Sequence, residues 1–252
     1  MKEIDTLVVV GDSYSWGTGL KDAIKRTTGL ESAKLLYTDY ENWPYNLQNN
    51  FGGLLCKEHG LHYLNLAQPG CSNETIFRKT MKFISVDYKT FGIDLDKTLI
   101  FIGWTGPHRR EFYAKDTFLN GYWNMSPQWA LKNGPKWAQN FVDAYANYMF
   151  SDYHDSAREF VFQVAMQNTL ENKGILFRQM RALYSGLAHE FHSSLDSSEI
   201  DRTTFLHYDT REHNISFFAK PHEADVNCQD HPNELGHRLI FNHLNKNIFL
   251  NE

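Results

Sequence analysis

Two stretches of this chain carry no polar alternation: Leu7-Val8-Val9-Val10, and Leu99-Ile100-Phe101-Ile102 within TLIFIGW (98–104). A strand with one face in water alternates apolar and polar residues. One that does not alternate is covered on both faces, the condition of a central strand in a parallel sheet flanked by helices. Each run stops at a glycine, Gly11 and Gly103. Residues 61–67 (LHYLNLA) read as a second short strand, 174–182 as a fourth, and Thr203–Tyr208 as a further candidate. The intervening segments are helical in pattern. Tyr45–His59 is closed by Gly60, and Ser72 caps a helix that runs to about Ile84. Residues 135–170 are helical, and Asn233–Phe249 carries Leu235, Leu239, Ile240, Leu244 and Ile248 at helical spacing. Strands separated by helices need crossover connections, so the expected fold class is α/β with a central parallel sheet. No repeat or linker divides the chain, and residues 1–252 are expected to form a single domain, with an aromatic-rich helical insertion at about 110–170.

Composition removes several classes of function. The net charge of −5 offers no basic field for nucleic acid or for an anionic membrane. The three cysteines, Cys56, Cys71 and Cys228, are odd in number and far apart, which suits reduced thiols better than a disulfide framework. The short apolar run near the N-terminus, Leu7–Val10, is too brief for a secretory leader, and no stretch reaches the length of a membrane span. A cytoplasmic protein is expected, without nucleic-acid or membrane partners.

In open parallel sheets, ligands bind at the C-terminal ends of the strands. Those ends carry GDSYSWGTG (11–19), QPGCSN (68–73) and GWTGPHR (103–109); DHPNELGH (230–237) precedes the last helix. A serine on a strand-to-helix turn, as Ser13 is, stands exposed beside outward-pointing N–H groups. Nucleophile and part of an oxyanion hole then come together. The G-x-S-x-G elbow is absent, since Ser15 occupies the second glycine position. A base must come from elsewhere in the chain. His231, pinned by Pro232 and followed by the capping residue Asn233, stands on a loop at the same edge.

With these blocks in this order the sequence resembles the SGNH (GDSL-like) hydrolase family over nearly its whole length. The resemblance implies a flavodoxin-like three-layer α/β/α sandwich and metal-free, cofactor-free hydrolysis of esters through an acyl-enzyme, often acetyl or acyl esters of sugars or lipids. It makes Ser13 the nucleophile and His231 the base. The N–H groups of Ser13 and Gly70 become oxyanion donors. Two positions depart from the family pattern. Thr105 stands where an asparagine donor is usual, so the Thr105 hydroxyl or the Asn73 side chain takes that place. Cys228 stands where the supporting aspartate is usual. Asp230, beside His231, and Asp225 are the available carboxylates, and a Ser–His dyad held by a backbone carbonyl is the other arrangement.

A small-molecule or glycan ester is the expected substrate. Trp16, Trp104 and Arg109 are candidates to line the mouth, with Arg109 reading an anionic group unless it or Arg110 merely pairs with Glu111. Trp43 and His108 stand near them in this reading. Trp137, Phe141, Tyr145 and Tyr148 share one helical face that packs on the core, while Trp123 and Trp129 fall outside that period in a candidate lid. His222, Cys228, His231 and His237 match no tight metal knuckle, and His189–His192 is one residue short of a zinc-helix spacing. Two other functions fit the same residues: acyl transfer to a sugar or amine acceptor, and a non-catalytic glycan-binding or structural module.

Overall fold

The computed structural model describes residues 3–18, 20, 43–114, 121–125, 127–133, 135–182, 199–206, 215 and 231–249. In chain order the elements are β1 (Thr6–Val10), α1 (Ser13–Trp16), α2 (Trp43–Asn49), α3 (Phe51–His59), β2 (His62–Asn65) and α4 (Asn73–Lys82). After three short helical turns (Phe83–Asp87, Tyr88–Thr90 and Leu95–Lys97) there follow β3 (Thr98–Trp104), β4 (Arg110–Ala114), β5 (Gly121–Met125), α5 (Pro127–Asn133) and α6 (Lys136–Tyr148). The last are α7 (Asp152–Asn172), β6 (Leu176–Arg181) and α8 (Glu234–Ile248).

The central sheet has the order β2-β1-β3-β6, and every pairing in it is parallel. Thr6 lies opposite both His62 and Thr98, and Leu99 opposite Leu176, so the strand C-termini are aligned along one edge. Beyond β6 the sheet continues for one step, where Phe205 bridges Gln179 in parallel. This is the candidate strand at 203–208; Tyr208 lies outside the described residues.

The unalternating runs are covered on both faces, as their composition demands. Val8, Val10, Ile100 and Ile102 pack on one side with Ile76 of α4 and with Met166 and Leu170 of α7. Leu7, Val9, Leu99 and Phe101 pack on the other with Phe51 and Leu55 of α3 and with Ile240 and Leu244 of α8. The result is an α/β architecture of helices, parallel sheet and helices. Among the described residues no helix is long and apolar enough to cross a membrane.

Two local features differ from the sequence expectation. The helix at 45–59 is broken at Asn50, whose side chain caps α3 by accepting from Gly53 N–H. The break brings the Leu47 carbonyl so close that a Cβ on Gly53 would lie 1.9 Å from it. The aromatic-rich segment opens with an antiparallel hairpin, β4–β5, rather than a helix. In α6 the buried stripe is Ala138, Val142 and Tyr145, packed with Met125, Ala130, Phe112 and Phe141. Trp137 and Tyr148 of the expected apolar face point to solvent.

Candidate active site

β1 ends at Val10, and the chain turns at once into α1, placing Ser13 first in that helix at the C-terminal edge of the sheet. The turn is tight. A Cβ on Gly11 would come within 2.3 Å of Ser15 Oγ, and one on Gly103 within 2.6 Å. Glycine at both strand ends is what lets the first turn of α1 sit directly on the sheet. Asp12 is the helix N-cap, its carboxylate accepting from Tyr14 N–H at 3.0 Å.

His231 arrives just ahead of α8, whose N-cap is Asn233. Its Nε2 lies 2.7 Å from Ser13 Oγ, although the two residues are 218 apart in the chain. The imidazole stacks on the Tyr14 ring, with centroids 4.8 Å apart and planes at 28°. One turn of α1 thus holds the hydroxyl and also braces the ring that faces it.

Asp12 is the hub behind the serine. It is fully buried and accepts from Thr105 Oγ1 at 2.7 Å and from Arg109 Nη1 at 3.2 Å, besides Tyr14 N–H. Three donors, one of them charged, offset the cost of burying that carboxylate. The Thr105 hydroxyl proton is therefore directed at Asp12. Asn73 holds the same loop from the other side: Thr105 N–H donates to Asn73 Oδ1 at 2.9 Å, and Asn73 Nδ2 donates to Thr105 O at 3.1 Å. That reciprocal pair uses one of the two N–H bonds on Nδ2 and leaves the second for another acceptor. Gly70, in the loop before α4, has φ +75°, a left-handed conformation that favours glycine.

Arg109 pairs with Asp12 rather than with Glu111, which is held by Arg78. Arg110 pairs with the buried Asp155 and bonds Tyr145 Oη. Trp104 is a correction to the expected mouth. As the last residue of β3 it is wholly buried in the α4/α7 face, and its indole N–H donates to Gln179 Oε1 at 2.8 Å. Trp16 is half-buried on α1, and its carbonyl accepts from Asn50 Nδ2. His108 lies 3.3 Å from Asp155 and against Phe150. Asp230, Asp225, Cys228, His222 and the segment 189–192 lie outside the described residues, and of Trp43, Trp123 and Trp129 the side chains do.

Cys71 also stands behind the turn that bears Ser13. It is buried, its thiol donates to Gly11 O at 3.1 Å, and burial together with the nearby Asp12 charge pushes its pKa up to about 12. It is therefore a protonated packing residue at neutral pH. Asp12 and Tyr14 are the parts of the site that motif reasoning passed over. The Gly-Asp-Ser turn itself carried the signal for Asp12, since an aspartate before a helix is a capping residue.

No curated protein matches the chain in sequence. Among solved structures similar to it is a candidate lipolytic protein of the G-D-S-L family from Desulfitobacterium hafniense. That protein is 13% identical, with 96% of this chain and 99% of that one covered and a TM-score of 0.42. The model of a family of unknown function, DUF6071, matches residues 33–214. The matched span holds Gly70, Asn73, Thr105 and Arg109, while Ser13 and His231 lie on either side of it. Since it takes in well over half of the sequence, the chain belongs to DUF6071.

Proposed function

We propose that this protein is a serine ester hydrolase working through an acyl-enzyme. The observation that carries the reading is the 2.7 Å contact between Ser13 Oγ and His231 Nε2 at the C-terminal edge of a parallel sheet. That is hydrogen-bond reach for a base and its nucleophile.

In this reading His231 Nε2 takes the hydroxyl proton as Ser13 Oγ bonds to the ester carbonyl carbon. The carbonyl oxygen becomes an oxyanion facing the N–H groups of Ser13 and Gly70 and the second N–H of Asn73 Nδ2. Collapse breaks the bond to the leaving alkoxide, which receives the proton from His231. Water, deprotonated by His231, then attacks the acyl-serine; the bond to Ser13 Oγ breaks, the acid leaves and Ser13 Oγ takes the proton back from His231. Thr105 serves as a strut: its hydroxyl donates to Asp12, and its peptide groups hold the Asn73 amide. Asp230 is retained as the candidate to orient His231. Arg109 and Trp16 are retained as the candidates to contact an O-acylated substrate, such as an acetylated carbohydrate.

Ser13→Ala tests the assignment directly. It is expected to abolish turnover of p-nitrophenyl acetate while leaving the circular dichroism spectrum and melting temperature near those of the wild type. Undiminished turnover in that variant contradicts the reading.

A further inference from the structure

The β4–β5 hairpin is not part of the central sheet at whose edge Ser13 stands, yet it grips the helix that carries Asn73. Glu111 of β4 and Asn124 of β5 are register partners. Directly opposed residues of an antiparallel pair project from the same face. Both side chains reach one side of α4 at its N-terminal end. Asn124 Oδ1 accepts from the Ser72 N–H at 3.0 Å. The Thr75 hydroxyl lies 2.6 Å from Asn124 Oδ1 and 2.7 Å from Glu111 Oε1, and its single proton is shared between them. One helical turn on, Arg78 holds the Glu111 carboxylate through both Nε (3.1 Å) and Nη2 (2.5 Å).

Residues 72, 75 and 78 form one stripe of α4, so the hairpin is fastened along a turn and a half of that helix. Ser72 and Thr75 are wholly buried, so the contacts with Asn124 are shielded from competing water. Ser72 also caps α4 by accepting from Thr75 N–H. The hairpin therefore bonds to the two residues that form the helix cap. Asn73 lies between them in sequence, and Gly70 is two residues before Ser72.

We infer that the hairpin is a positioning element for the oxyanion side of the site, with Asn124 and Glu111 as positioning residues acting through Ser72 and Thr75. The inference rests on the esterase reading and adds to it a reason for the hairpin to exist. Neither residue touches the reacting atoms. Their effect is to fix where Gly70 N–H and Asn73 Nδ2 stand relative to Ser13.

The test uses Thr75→Val, which removes the shared hydroxyl at constant shape, Thr75→Ser, which restores it, and Asn124→Ala. Three quantities are read: kcat and KM on p-nitrophenyl acetate, fluorophosphonate labelling of Ser13, and backbone amide exchange over residues 70–76. Thr75→Val and Asn124→Ala are expected to lower kcat by about ten- to a hundredfold with KM changed less than about twofold. Exchange over 70–76 is expected to accelerate while that of 12–16 does not, and Thr75→Ser is expected to recover both. If Asn124→Ala fails to fold, the valine and serine variants of Thr75 decide. Wild-type kcat in Thr75→Val, or a loss of kcat without faster exchange over 70–76, overturns the inference. A wild-type protein that neither takes the label nor hydrolyses ester contradicts the esterase reading and the catalytic part of this inference together. The exchange rates then decide separately whether the hairpin holds the segment.

Discussion

The two faces of the central sheet are built from different materials. Against the α3/α8 face the packing is mostly apolar, with Leu7, Val9, Phe51, Leu55, Phe101, Ile240 and Leu244 buried together, and His237, Asn50 and the Tyr63 hydroxyl as polar groups among them. The α4/α7 face has an equally dry centre but a polar lattice around it. Glu159 on α7 is buried against Arg181 at 3.3 Å and accepts from Gln163 at 2.7 Å. Asp155 meets Arg110, and Asn73 and Thr105 lock one loop to another. Apolar contact is non-directional and resists unfolding, whereas a satisfied polar network fixes orientation. In the proposed mechanism the first face supplies the base, on the chain leading into α8. In the same mechanism the second supplies the oxyanion side, where tenths of an ångström would decide rate. Substitutions on the first face should therefore lower stability at unchanged kcat, and those in the lattice should lower kcat as well.

The largest separation is expected from Asp12→Ala, which leaves Arg109 and the Thr105 hydroxyl without their acceptor. Breaking a buried pair by removing one partner costs about 3–5 kcal/mol. Here kcat should fall by about a hundredfold in addition, as the loop bearing Thr105 shifts. Chemical denaturation and steady-state kinetics on the same preparation check both. Leu55→Ala, on the dry face, should cost about 2–5 kcal/mol by opening a cavity, with kcat of the folded fraction unchanged. Equal kcat losses in these two variants would erase the distinction between the faces.

Acid should act through the dry face. His237 is wholly buried, and burial, aided by the nearby His231, lowers its pKa from 6.5 to about 3. Its Nδ1 accepts from Phe51 N–H at 3.3 Å, a bond that requires the neutral ring. The unfolded chain takes up the proton first, so the stability contribution is complete above pH 6.5 and is lost as pH falls towards 3. From pH 6.5 to 5 the loss is about 2 kcal/mol at about 1.4 kcal/mol per unit. Glu159 and Glu74, whose pKa values burial raises, contribute with the opposite sign, stabilising the fold as pH falls and losing that contribution as pH rises. The comparison is therefore between slopes: His237→Leu should flatten the decline of stability with acid relative to wild type, whatever its absolute stability. The smallest effect is expected from Thr105→Val, about 1–3 kcal/mol for a buried acceptor deprived of one donor, with kcat lowered more than KM is raised.

The sheet was legible in the sequence because its strands are covered twice, and unalternating runs such as 7–10 and 98–104 have no other comfortable place. The caps at Ser72 and Asn233 were legible too, since each is a short polar side chain at the head of an apolar period. The break at Asn50 was not. The apolar pattern runs straight through it, and only the approach of the Leu47 carbonyl to Gly53 shows why the helix divides. The hairpin was missed because its two strands are separated by 115–120 and its aromatic residues read equally well as helix. At the candidate site, Ser13 and His231 stood out as motif residues, and the structure brings them within 2.7 Å of each other. The lattice was not, because Asp12 meets Thr105 and Arg109 across separations of 93 and 97 residues that leave no local pattern. Trp104 misled for the opposite reason: its position beside a glycine at a strand end suggested a mouth, but the indole turns inward to Gln179.

The most direct test of the central claim, an activated Ser13 served by His231, is intact-mass labelling with a fluorophosphonate probe followed by peptide mapping. The account predicts one adduct, on Ser13, formed by the wild type and lost or slowed by about a thousandfold or more in His231→Ala. No adduct at any pH between 6 and 9, or an adduct on Ser13 that forms as fast without His231, would contradict it.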